Sequence, residues 1–169
     1  MLCSTSQAAR TRAAGIWDNG RVKLNAFGDV CLRTLMLLGA QPDRQMTGRQ
    51  IAESVGIPYN HVSKAVLELK RRGALEVSRG RHGGARITPA GLELSVGHLL
   101  RDLDTQPDMV DCTGAFTAGG RPCPLLDGCR LRAALARARE AFYTELDGTT
   151  VAQLTGPLQP VRLPVPTVR

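Results

Sequence analysis

The sequence has no run of 18 apolar residues, which excludes a membrane-spanning helix. Its start, MLCSTSQAARTRAAGIW, holds no long apolar stretch, so it does not read as a secretory signal. A chain kept in a reducing compartment makes little use of structural disulfides, and the odd total of five cysteines agrees. Closely spaced cysteine pairs, the usual framework of structural zinc, are missing. No constellation of nucleophile, base and orienting group is visible, so nothing points to an enzyme. Acids are outnumbered, 15 against 22 Lys or Arg, and the net charge of +7 suits a polyanionic partner.

What is present is enough for one ordinary domain: 169 residues, 43% of them hydrophobic. Order is expected from about Leu24. Phe27, Val30, Cys31, Thr34, Leu35 and Leu38 share one helical face, and Gly39 to Asp43 break the helix. In TGRQIAESVG, Thr47 and Gln50 form a capping box, Ile51 and Val55 face inward, and Gly56 stops a short helix. The chain restarts at Pro58, which suits a first helical position, with Val62, Ala65, Val66 and Leu69 as the inner stripe and Gly73 as the stop. Two short helices joined around a glycine read as helix-turn-helix. Leu75 and Val77 alternate with Glu76 and Ser78 as a strand, RGRHGGAR (79–86) makes a basic turn, and Ala85 to Ile87 return. The expected fold is mainly α with a small β-hairpin wing, a winged helix-turn-helix followed by a long C-terminal helix.

The charge concentrates on this head. Between Arg44 and Arg86 stand nine Lys or Arg and three acids. Arg49 and the outer face of the second helix, Tyr59, Asn60, His61, Ser63 and Lys64, offer groups that bind phosphates and base edges in a major groove. Arg79 and Arg81 in the wing suit a minor groove. His82 reads as loop. Double-stranded DNA is the partner these residues imply.

Thr88-Pro89 opens a further helix, with Leu92, Val96, Leu99 and Leu103 on one buried face. Residues 104–128 then lose periodicity, and three cysteines follow one another as Cys112-x10-Cys123-x5-Cys129. Soft thiolates on a flexible loop suit an iron–sulfur cluster. Cys129 opens a helix whose dipole favours thiolate, and Arg121, Arg130 and Arg132 add positive charge around an anionic centre. A disulfide or redox thiol pair, and an inert or zinc-bound role, stay open beside the cluster. Three cysteines leave one ligand short, for which His98 is one candidate. Cys31, on an apolar face, reads as a core thiol, and Cys3 lies in the leader. From Cys129 a helix is expected to about Asp147, with a seam of Leu131, Leu135, Ala138, Phe142 and Leu146 suited to a partner subunit. Residues 148–169, with four prolines and few charges, read as an irregular or disordered tail.

Three stretches carry a resemblance: FGDVCLRTLMLL, QIAESVGIPYNHVSKAVLELKRRGALEVSRGRHGG and PCPLLDGCRLRAALARAREAFYTELD. Over about residues 22–154 the chain resembles the NsrR family of nitric-oxide-sensing bacterial repressors, which shares its architecture with the IscR family. The resemblance implies a cytoplasmic bacterial homodimer on a palindromic operator, released by nitric oxide to express detoxification genes. It implies a [4Fe–4S] cluster held by Cys112, Cys123 and Cys129 together with Asp29 from the partner subunit. It also implies a division into a winged-helix domain (22–103), a cluster-binding loop (104–128), a dimerisation helix (129–147) and a tail (148–169).

Two departures matter. Where the IscR family has a histidine shortly after the third cysteine, this chain reads RLR, with Arg132. The loop between the first two cysteines is longer than usual, and its ten residues close at small entropic cost, leaving a [2Fe–2S] form open. Residues 1–21 read as a disordered leader or a mis-assigned start: the resemblance implies a beginning near Val22, which a GTG start codon would encode. An IscR-like or redox-sensing regulator is the alternative reading, and an iron–sulfur electron-transfer protein is the alternative from another class.

Overall fold

The computed structural model describes residues 24–80, 83–106, 108–114 and 119–156. The first helix, α1 (Ala26–Gly39), starts at Asn25, whose side-chain oxygen accepts from the Phe27 amide. Its inner face is the expected one: Val30, Cys31, Leu35 and Leu38 are buried, and the Thr34 hydroxyl donates to the Val30 carbonyl at 2.8 Å. That internal bond is what lets a polar side chain sit in the core.

Helix α2 (Gly48–Val55) carries the capping box between Thr47 and Gln50. It ends at Gly56 with φ 67° and ψ 31°, a left-handed conformation that a Cβ would penalise. Helix α3 (Tyr59–Arg71) follows at once, with Pro58 at its N-cap, one place before the first helical position expected. Val62, Ala65 and Leu69 are fully buried beneath it. Strands β1 (Leu75–Ser78) and β2 (Gly84–Ile87) pair antiparallel, Leu75 opposite Ile87 and Ser78 opposite Gly84. Met46 bridges to Ala85, with backbone bonds of 3.0 and 2.8 Å, and so ties the wing to the entry of α2. Helix-turn-helix plus hairpin is the winged helix that the sequence predicts.

The single helix expected across 88–103 is two, α4 (Pro89–Leu92) and α5 (Val96–Leu103). A continuous helix would need the Val96 amide for Leu92. That amide instead donates to the Thr149 carbonyl at 2.9 Å, and the Leu94 carbonyl accepts from Val151 at 3.2 Å. Ser95 caps α5 by accepting from the His98 amide and donates its hydroxyl to the Asp147 carbonyl.

Helix α6 (Arg130–Asp147) packs on α5, and Tyr143 is its one buried residue. After it, a segment expected to be irregular is helical. In α7 (Val151–Thr155), Thr150 and Gln153 form a second capping box, and Val151, 1% exposed, enters the core against α1. The prolines that suggested a tail lie beyond it, outside the described residues. The winged-helix core is thus completed by a segment that follows α6. No helix among the described residues is long and apolar enough to cross a membrane.

Candidate functional site

Two regions carry the chemistry. The first is the outer face of α3. Burying Val62, Ala65 and Leu69 turns Asn60, His61 and Lys64 fully outward, with Ser63 half-buried. Tyr59, 53% exposed, lies over the start of α2: a Cβ at Gly48 would stand 3.0 Å from its ring. The absent side chain at 48 leaves room for the ring, and Arg49, the next residue, is exposed. The Asn60 carboxamide oxygen accepts from the His61 amide at 3.0 Å, which leaves its NH2 group outward-facing as a donor. Leu67, 65% exposed, extends this face by one turn. Sequence analysis places it neither on the inner stripe nor among the outward residues.

The cations divide into two sets. Arg71 and Arg72 are bound by Glu68 at 2.6 and 2.7 Å, and Arg86 by Glu76 at 2.9 Å. These arginines hold Glu68 at about 2, well below the usual carboxylate range. Arg49, Lys64 and Arg79 have no ion pair among the described residues and are exposed, so their charge is available to a polyanion. Arg81, the other wing residue of the expected set, lies outside the described residues.

The second region is the segment from Asp104 to Cys129. The Cys123 amide donates to the Cys112 carbonyl at 3.1 Å, which closes the ten-residue loop at its base. The Asp111 carboxylate accepts from the Thr113 and Gly114 amides and shapes the turn after Cys112. Cys129 is the N-cap of α6, its Sγ accepting from the Arg132 amide at 3.4 Å. Burial pushes the Cys112 thiol up from its ordinary value. Asp108 raises it further, Arg132 opposes this, and Cys123 and Cys129 act in the same direction as Asp108. The three sulfurs therefore share one electrostatic neighbourhood. An open cavity of about 510 Å³ adjoins it, lined in part by Asp108, Leu126, Cys129 and Arg132.

This donor set fits a soft metal centre. Three thiols lie on one loop, one of them at a helix N-terminus, and Arg132 offsets negative charge beside Cys112. Within a single chain the set is not closed: among the described residues no three His, Cys, Asp or Glu side chains converge as a metal-binding group. Asp29 stands in the first turn of α1, half-exposed, and accepts from Arg33 Nε at 2.9 and 3.0 Å. The His98 ring faces Asp147 at 3.6 Å and shows no convergence with the thiols. Cys31 is fully buried, with its thiol pushed up to about 12 by burial, as a core residue should be. Arg132, expected only as surrounding charge, is bound to Asp108 at 2.6 Å and pins the loop to α6.

The expected seam of α6 is largely uncovered. Leu131 is 60% and Phe142 43% exposed, Ala138 is exposed, and Leu135 and Leu146 are half-buried.

A family model described as "Rrf2: Iron-dependent Transcriptional regulator" matches residues 24–157. The HTH-type transcriptional repressor NsrR of Streptomyces coelicolor is 43% identical over 143 residues, covering 81% of this chain and 93% of that protein. The HTH-type transcriptional regulator NsrR of Geobacillus kaustophilus is 37% identical over 134 residues, covering 79% and 89%. Among solved structures, the oxidized form of Staphylococcus aureus CymR superposes with a TM-score of 0.58 at 22% identity, over 82% of this chain and 99% of that one. At that identity the likeness bears on the fold alone.

Proposed function

The chain belongs to the Rrf2 family of transcriptional regulators and is not an enzyme, and from that premise we propose that it is a nitric-oxide-sensing repressor. The observation that carries this reading is the pairing of two features on one short chain. The surface of the head bears cations without ion pairs among the described residues, Arg49, Lys64 and Arg79, and one loop carries three thiols, the last of them capping the helix packed on α5.

In this reading Cys112, Cys123 and Cys129 hold an iron–sulfur cluster of [4Fe–4S] type, with Asp29 of the partner subunit as the fourth ligand. When bound, the cluster supplies iron and sulfide that react with nitric oxide. The chain's own residues do the rest. The three thiols fasten the loop, Asp108 and Arg132 pin it to α6, and the Asp29 carboxylate must leave Arg33 to reach a partner's loop. The exposed stripe of Leu131, Leu135, Ala138 and Phe142 meets the same stripe of a second copy, as a two-fold interface requires. Two heads then present Tyr59, Asn60, His61, Ser63 and Lys64 to the half-sites of a palindrome. A hundredfold change in operator affinity between the two loop states corresponds to about 2.7 kcal/mol. The proposed setting is the bacterial cytoplasm, and the regulated genes are those of nitric oxide detoxification. Arg132, engaged by Asp108, offers no ligand where an IscR-like regulator has histidine, which favours this reading over that one.

The test is iron and sulfide analysis of anaerobically purified protein. Four irons per chain are expected for the wild type and none for Cys123→Ala. Two irons would replace the four-iron form by the [2Fe–2S] one, and a colourless wild type carrying zinc would overturn the proposal.

A further inference from the structure

The last residues of α5 and the one after it reach, in sequence order, every part of the molecule that a sensor must join. Arg101 turns to α6, where its guanidinium is held by Asp147 at 2.9 Å and Glu140 at 3.0 Å. Asp102, its neighbour, turns to the opposite partner and binds Arg72 at the end of α3 at 2.7 Å. The Leu103 carbonyl accepts from Asn25, the cap of α1, at 3.0 Å. Asp104 accepts from the Tyr143 hydroxyl of α6, and the thiol loop begins there. Successive residues at the end of a helix project in different directions, so four positions reach α6, α3, α1 and back to α6.

The link into α3 is single and built. Arg72, 18% exposed, divides its guanidinium between Glu68 on its own helix and Asp102 on α5, each at 2.7 Å. It is the one ion pair between α3 and α5 among the described residues. The recognition face of α3 lies on the same rigid helix. A shift of α5 relative to α3 therefore either drags the outer face of α3 or breaks this pair.

We propose that residues 101–104 form the relay between the thiol loop and the recognition helix, and that Asp102 is its positioning residue, setting the pose of α3 through Arg72. The inference rests on the cluster reading of the loop. Asp102 touches neither DNA nor a thiol. Its role is to make the affinity of α3 for DNA depend on the state of α5 and α6, which is a coupling between two sites and not a contribution to either alone.

The experiment compares operator affinity of cluster-loaded protein with that of protein stripped of iron by a chelator, for wild type, Asp102→Asn and Asp102→Glu. Asn keeps the shape and removes the charge, while Glu keeps the charge. The loaded-to-stripped affinity ratio should fall by roughly threefold or more in Asp102→Asn, as expected for loss of a partly exposed ion pair, with iron per chain unchanged. Asp102→Glu should keep the wild-type ratio. A wild type with no bound iron or no ratio sinks the cluster reading itself. A wild type that switches beside an Asp102→Asn variant that switches equally sinks the relay alone. Should Asp102→Asn fail to fold, hydrogen exchange of the wild type decides: amides of residues 65–71 must differ in protection between loaded and stripped forms, and equal protection overturns the relay.

Discussion

Gly97→Ala tests the packing of α5 on α6. Gly97 lies on α5 against α6, and a Cβ built on it would stand 2.3 Å from the Tyr143 carbonyl oxygen and 2.6 Å from the Asp147 amide nitrogen. Both are backbone atoms of one continuous helix, so no side chain can rotate away, and α6 itself must move. Two effects of opposite sign compete. Alanine in a helix interior is favoured over glycine by about 1 kcal/mol. Overpacking costs about 1–3 kcal/mol, and contacts this short against backbone belong at the upper end. The net expectation is a destabilisation of about 2 kcal/mol, a fall in Tm of about 4–8 °C for a chain of this size. Urea denaturation of the iron-free protein measures it. Gly148→Ala is the control, since a Cβ there meets nothing within 4 Å, and it should change stability by no more than about 0.5 kcal/mol. A Gly97→Ala protein as stable as the wild type, or more so, would refute the close packing of α5 on α6.

Four further outcomes are expected. Thr47→Ala breaks the capping box of α2 and should lower stability by about 1 kcal/mol in the same assay. Glu68 is held at about 2 against an ordinary 4.5, so the stability it adds is complete above about pH 4.5 and is lost as pH falls towards 2; Glu68→Gln should be less stable at neutral pH and converge with the wild type across that window in acid denaturation. Cys31→Ala should lose about 1–2 kcal/mol of stability yet bind as much iron as the wild type, because the buried thiol is a core residue and not a ligand. Lys64→Ala should weaken operator binding and reduce its salt slope by about 1, measured by fluorescence anisotropy across a salt series.

The winged helix was legible because its signals are local. Thr47 and Gln50 cap by their own spacing, Gly56 stops a helix by its own conformation, and the alternation of Leu75 to Ser78 shows one face. What escaped is non-local. The break between α4 and α5 is made by Thr149 and Val151, more than fifty residues away, which take the backbone groups a continuous helix would use. Helix α7 did carry a local signal, Thr150 followed by Gln153, the same spacing read correctly at Thr47; the prolines after it weighed more in the composition than the cap did in the sequence. At the candidate site, the thiols and the outward residues of α3 could be named from type and spacing. Their organisation could not. The Asp108–Arg132 clasp and the Asp102–Arg72 link join residues 24 and 30 positions apart, and no periodicity records such pairs.

The central claim is that the state of iron held by the late cysteines sets whether the paired heads grip DNA. The most direct measurement is an anaerobic nitric oxide titration, with absorbance and anisotropy of a labelled operator duplex read in the same samples, the duplex having been selected from a random pool by the loaded protein. The account predicts a coloured protein whose visible absorbance changes in step with release of the duplex. A bleached, iron-free preparation that holds the duplex equally well with and without the gas would contradict it.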